Sequence, residues 1–228
     1  MRLVTVAHGT RKSSGNAIAA ELTAHAAQRL GVEAVCSYVE LCDPLFAEVV
    51  AGSREPTVAV PLLLSTGFHI RTDLPEMAER AGGPLTLGRP FGPHRQVARA
   101  QAARLLEAGA TPGSRVVLVA AGSSDELATR DQERAAELLA AEWRGEVVVA
   151  TLTARGARPA EVVRDGDVVS PYLLSPGYFA DRARRESLDA GAALVADVLG
   201  VHPLLVDLLC ARYEALAAAV AGPPRAAG

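Results

Sequence analysis

VAVPLLLSTGFH (58–69) and VVSPYLLSPGYF (168–179) are two versions of one segment. Pro61, Leu63, Leu64, Ser65 and Gly67 return as Pro171, Leu173, Leu174, Ser175 and Gly177. The first version closes on His69, the second on Phe179. Near the start of each half, VTVAHGT (4–10) aligns with VLVAAGS (117–123), so His8 stands against Ala121. A duplication retains what the fold requires. A histidine pair held by one copy and missing from the other marks that copy for chemistry.

Outward from these segments, apolar runs alternate with helical patterns. Leu3–Ala7, Val35–Leu41, Thr57–Leu62 and Leu85–Leu87 read as strands, the last a weak one. Short apolar runs bounded by polar loops suit buried parallel strands. Ile18, Leu22, Ala26 and Leu30 recur at helical spacing before Gly31, which predicts a helix over 15–30. Asp43-Pro44 resembles an N-cap followed by Pro at the first helical position, so a helix is expected over Asp43–Val50. Further helices are expected from near Ile70 and over Pro93–Ala108. The second half repeats the order: strands 115–119, 146–152, 167–171 and 194–199, helices 125–142, 158–164, 181–192 and 203–220.

Strands joined by helices imply βαβ units. The expected fold class is therefore α/β: two similar domains, each a parallel sheet of about four strands flanked by helices, related by internal duplication. The turn cluster Thr111-Pro112-Gly113-Ser114 sets the boundary, giving domains 1–112 and 113–221 and a disordered tail 222–228.

Composition narrows the function. Of the 228 residues 50% are hydrophobic but only 4% aromatic, so the core must be built from Ala, Val and Leu. A net charge of −3 argues against nucleic-acid or membrane-surface partners. Lys12 is the only lysine; nearly all positive charge is Arg. Cys36, Cys42 and Cys210 form no C-x-x-C pair and read as small buried hydrophobes in a reducing compartment. MRLVTVAHGT lacks the apolar stretch of a signal peptide, and no run of eighteen apolar residues occurs. A cytoplasmic location is the expectation.

Ligands of open parallel sheets bind at the carboxyl ends of the strands. His8 follows the first strand, Glu40 ends the second and His69 follows the loop after the third, so all three project from one sheet edge. Two imidazoles and a carboxylate bind Fe, Co, Ni or Zn and leave coordination positions open. His94 and His202 recur in both halves, each opening a helix, and read as structural; His25 reads as surface. Thr10, Arg11, Ser13 and Ser14 form a loop before a helix that suits an anion. Arg71 and Asp73 follow His69 on a helix's opening turn; Asp73 suits either the helix dipole or a ligand, and Arg71, with Arg11, suits either substrate carboxylates or a solvated rim. Ser65-Thr66-Gly67 is a turn that lets backbone approach a ligand.

His8-Gly-Thr-Arg11, Glu40-Leu-Cys-Asp-Pro44 and Leu64-Ser-Thr-Gly-Phe-His69 with Asp73-Leu-Pro75 together resemble the class II sirohydrochlorin chelatases, whose long members carry two chelatase-type domains. The resemblance implies insertion of a divalent metal into sirohydrochlorin, a reduced tetrapyrrole with eight carboxylate arms. Fe2+ or Co2+ is then the substrate metal, with Ni2+ or Zn2+ accepted in vitro. It implies a metal site of His8, Glu40 and His69, with catalysis by His8 and His69. Substrate binding falls to Thr10, Arg11, Ser65, Thr66, Gly67, Arg71 and Asp73. The second half departs from the pattern and should be silent. No cysteine cluster accompanies the motifs, so no iron–sulfur cluster is expected.

Three rival readings stand beside this one, the first a related activity on another tetrapyrrole or metallophore. The same site suits a metal or tetrapyrrole carrier that binds without turnover. VAHGTR also has a superficial likeness to histidine phosphatases, but those place Arg immediately before the His, where this chain has Ala7. Both lobes of a cleft lie in one chain, so a monomer is expected.

Overall fold

The computed structural model describes residues 1–221; the tail expected to be disordered lies outside the described residues. The first half contains β1 (Arg2–Ala7), α1 (Ser13–Leu30), β2 (Ala34–Tyr38), α2 (Phe46–Ala51), β3 (Thr57–Pro61), α3 (Leu74–Glu79), β4 (Leu85–Leu87) and α4 (Arg95–Glu107). The second contains β5 (Val116–Ala120), α5 (Glu126–Trp143), β6 (Val147–Thr151), α6 (Pro159–Val162), β7 (Val168–Tyr172), α7 (Tyr178–Asp189), β8 (Leu194–Val195) and α8 (Pro203–Ala221). Each half forms one all-parallel sheet, in the orders β2-β1-β3-β4 and β6-β5-β7-β8. The fold is thus the duplicated α/β architecture that the repeat implied.

The two-residue period of the strands divides the apolar residues between two faces. Leu3, Val58 and Val60 in one sheet and Val116, Leu118 and Val168 in the other join a single core shared by both halves. Val4, Val6 and Ala59 face a separate outer cluster, as do Val117, Val119 and Val169. The last helix of each copy crosses to the other: α4 packs on α5, α8 and β7, while α8 packs on α1, α4 and β3. Buried Gln101 of α4 donates its amide N–H to Ser170 Oγ of β7 at 2.9 Å. This exchange locks the two sheets into a fixed relation, with their carboxyl edges on either side of one cleft.

Several local expectations are corrected. β2 ends at Tyr38, not Leu41; Leu41 adopts φ +66° and the chain turns there, leaving Glu40 on the bend. The helix expected from Asp43 begins at Phe46 without a side-chain cap. Tyr38 N donates to Pro44 O at 3.0 Å and Tyr38 bridges to Leu45, so the chain is still extended where a cap was expected. The helix expected near Ile70 opens with a π-helical segment, His69–Asp73. Leu74 N reaches back five residues to His69 O, and Pro75 has no N–H with which to continue an α-ladder. α7 starts three residues earlier than expected, at Tyr178, and β8 is only two residues long; past its end Ala196 N still donates to Val169 O of β7, and Leu199 N donates to Leu173 O just beyond β7.

Candidate metal centre

His8 leaves the end of β1, and the neighbouring bend of β2 brings Glu40 to it. Val39 N donates to Ala7 O at 2.9 Å and Glu40 N to His8 O at 3.2 Å, extending the ladder just past both strands. Gly9 makes this approach possible. Its φ is +92°, and a Cβ there would stand 1.9 Å from Glu40 O. No residue with a side chain fits without moving the backbone that carries Glu40.

His69 arrives from the loop after β3. Its ring lies edge-on to that of His8, with centroids 4.9 Å apart and planes at 83°. His8 Nε2 stands 3.7 Å from Glu40 Oε1. One ligand atom from each of His8, Glu40 and His69 lies within 4.8 Å of the others. Metal–ligand bonds of about 2.0–2.2 Å hold ligand atoms no more than roughly 4.4 Å apart across one cation, so a small side-chain adjustment closes the set. Both outer ring nitrogens are engaged. His8 Nδ1 donates to Gly9 O at 3.2 Å, and His69 Nδ1 donates to Asp73 Oδ2 at 2.6 Å. A hydrogen bond on Nδ1 fixes the tautomer and leaves the Nε2 lone pair for a metal. Three ligands leave an open coordination sphere, suited to a metal that must be passed on.

The centre sits in a cleft of about 750 Å3 lined by both copies. Thr10, Arg11, Ser65 and Gly67 line it. Thr66, Arg71 and Asp73 do not. Thr66 N donates outward to Asp131 Oδ2 at 2.5 Å, Arg71 Nη1 pairs with Asp125 Oδ2 at 3.2 Å, and Asp73 stands behind His69. Arg71 lines a separate, neighbouring groove with Asp125, Arg130 and Arg155. Sequence reasoning missed the apolar mouth. Leu41, Phe68, Tyr178 and Phe179 line the cleft while remaining exposed, Phe68 at 63% and Tyr178 at 64%. Phe68 and Tyr178 are equivalent positions of the repeat, so two exposed aromatics kept in both copies were a signal available in the sequence.

The second copy reproduces the backbone of the site without its ligands. Leu152 N donates to Ala120 O and Thr153 N to Ala121 O, as Val39 and Glu40 do in the first copy. Gly122 has φ +95°, with its Cβ position 2.1 Å from Thr153 O. Ala121, Thr153 and Phe179 therefore occupy the places of His8, Glu40 and His69. The loss of Glu40 was not visible in the aligned segments; it emerges only from the ladder. The second copy instead braces the first. Tyr172 OH donates to Leu64 O at 2.7 Å, and Asp131 accepts from Thr66 N, so side chains of the second copy hold the loop that leads into His69. Burial, with a smaller effect from Asp131, pushes the Tyr172 phenol up and keeps it a neutral donor.

The CbiX family model matches residues 2–108 and again 115–216, once per copy. The sirohydrochlorin ferrochelatase of Bacillus subtilis (strain 168) is 28% identical, covering 95% of this chain and 92% of its own length. That of Priestia megaterium is also 28% identical, over 92% and 88%. SirB from Bacillus subtilis with Fe3+ superposes with a TM-score of 0.81 at 27% identity, covering 97% of each chain. The sirohydrochlorin chelatase SirB of Bacillus subtilis subspecies spizizenii, in complex with cobalt, gives 0.78 at 25% identity over 95% and 94%. The doubled family match, over two sheets of which one carries a convergent His-Glu-His set, establishes that this chain belongs to the CbiX family.

Proposed function

We propose that this protein inserts a divalent metal, Fe2+ or Co2+, into sirohydrochlorin. The observation that carries the reading is the convergence of His8, Glu40 and His69, with His8 and His69 lining a cleft that Leu41, Phe68, Tyr178 and Phe179 make apolar. Relatives named for this reaction, and structures of relatives holding Fe3+ and cobalt, support it.

The metal enters as a substrate and is held by His8 Nε2, His69 Nε2 and the Glu40 carboxylate. Asp73 positions the His69 ring. The macrocycle lies between the two lips of the cleft, its apolar face against Phe68 and Tyr178 and its carboxylates toward Arg11 and the loop amides near Thr10, Ser65 and Gly67. Ring nitrogens replace the protein ligands one at a time. Two pyrrolic N–H protons leave as the metal enters; an imidazole released by the metal accepts one, and Glu40 or water accepts the other. Removing water from the metal and fixing the ring over it supply most of the acceleration. Both lips belong to one chain, so a monomer suffices.

Anaerobic absorption spectra of sirohydrochlorin with Fe2+ or Co2+ test the proposal. The protein is expected to accelerate the shift to the metallated spectrum, and His8→Ala to abolish that acceleration with little change in melting temperature. Metal and macrocycle bound without faster insertion would identify a carrier. Normal turnover by His8→Ala would refute the mechanism.

A further inference from the structure

The two copies make the same contact with each other twice beside the cleft, with the charges exchanged. Lys12 and Asp125 are equivalent: each is the N-cap residue of the first helix of its copy, and each donates its backbone N–H to the hydroxyl of Thr10 or Ser123, two residues earlier. Arg71 and Asp181 are equivalent too, each four residues after the loop glycine, Gly67 or Gly177. Lys12 Nζ pairs with Asp181 Oδ2 at 2.5 Å, and Arg71 Nη1 with Asp125 Oδ2 at 3.2 Å. Both basic members lie in the copy with the metal centre and both acidic members in the silent copy. Each partner stands two residues from a cleft-lining residue: Thr10, His69, Ser123 or Phe179.

This arrangement bears on an anionic ligand. The side chains of Lys12 and Asp181 are more than half exposed, so their pair lies in water and is weak; in the second pair Arg71 is exposed while Asp125 is largely covered. A macrocycle bearing eight carboxylates offers many competing anions to the same two cations. We propose that the two pairs are substrate-operated latches: carboxylates of the incoming tetrapyrrole displace Asp181 from Lys12 and Asp125 from Arg71, so that Lys12 and Arg71 become specificity-determining contacts only when a polycarboxylate spans the cleft. The proposal rests on the reading of the substrate given above.

A latch and a structural brace differ in sign. If the pairs merely tie the copies together, losing either member weakens the protein alike. If they are latches, the acid competes with substrate and the base binds it. Asp181→Asn and Asp125→Asn are the informative variants; asparagine retains the cap that Asp125 Oδ1 provides to Leu127 N. The measurement is the dissociation constant of metal-free sirohydrochlorin by absorption titration. Each Asp→Asn change is expected to tighten binding by roughly two- to fivefold, the range of an exposed ion pair. Lys12→Ala and Arg71→Ala are expected to weaken it by a similar factor. Arg95 and Glu142 also pair across the copies, at 2.5 Å but away from the cleft, and Glu142→Gln should leave the constant unchanged. Unchanged or weaker binding in the Asp→Asn variants overturns the latch even if the parent protein metallates normally. Tighter binding in these variants without metallation would uphold the latch while refuting the chelatase reading, and a parent that does not bind sirohydrochlorin refutes both.

Discussion

Glycine 9 and glycine 122 separate the cost of the fold from the cost of the chemistry. Both adopt positive φ, and both leave less than about 2.2 Å between a potential Cβ and a carbonyl, that of Glu40 or of Thr153. Alanine at either position must displace backbone, at a cost of about 1–3 kcal/mol. Gly9→Ala and Gly122→Ala are thus expected to lower the melting temperature comparably. Only Gly9→Ala moves Glu40 away from His8, so only it should lose metal affinity, read by calorimetric titration with Co2+. Equal loss in both variants would mean that the ligands do not depend on this local geometry. At this scale His8 and His69 were legible in the sequence, because the duplication supplied an internal control. The role of Asp73 was not. Sequence left it on a helical turn, either complementing the helix dipole or contacting substrate, whereas an i,i+4 contact within a π-helical segment turns it toward His69.

Among the secondary-structure elements, α4 and α8 share an unusual N-terminal device. His94 Nδ1 accepts from Gln96 N and His202 Nδ1 from Leu204 N, each at 3.2 Å. Only an unprotonated Nδ1 can accept. Burial, and then the nearby Arg212 or Arg104, lowers both imidazoles from their usual range. The unfolded chain then binds protons more readily than the fold, so the stability these caps contribute is present above the ordinary histidine pKa of about 6.5 and is lost as pH falls below it. Thermal melts between pH 7.5 and 5 are expected to show this fall, and His94→Asn with His202→Asn to flatten it, because asparagine caps without titrating. An unchanged pH profile in the double variant would remove the caps from the account. The strands and long helices were readable because apolar spacing fixes them. The start of α2 and the π-helical segment were not. Asp43-Pro44 is a sound local cap signal, but the bridge of Tyr38 to Leu45, made as the chain turns back beside β2, overrides it, and such a bridge carries no apolar periodicity of its own.

The molecule as a whole is a duplication in which one copy keeps the ligands and the other keeps the loops in place. Its final helices are exchanged, its core is continuous, and the braces from Tyr172 and Asp131 run from the silent copy to the active one. The repeat was legible in sequence; this exchange of helices was not, because both copies share the same apolar pattern whichever sheet each helix covers. Among the described residues, the His-Glu-His set is the single cluster of three potential metal ligands. The central claim is therefore a stoichiometry: one metal per chain of two copies, bound through His8 and His69. Titration with Co2+ under anaerobic conditions, followed by absorption and calorimetry, is predicted to saturate at one equivalent, and to show no specific binding in His8→Ala or His69→Ala. Saturation at two equivalents, or undiminished binding in either variant, would contradict it.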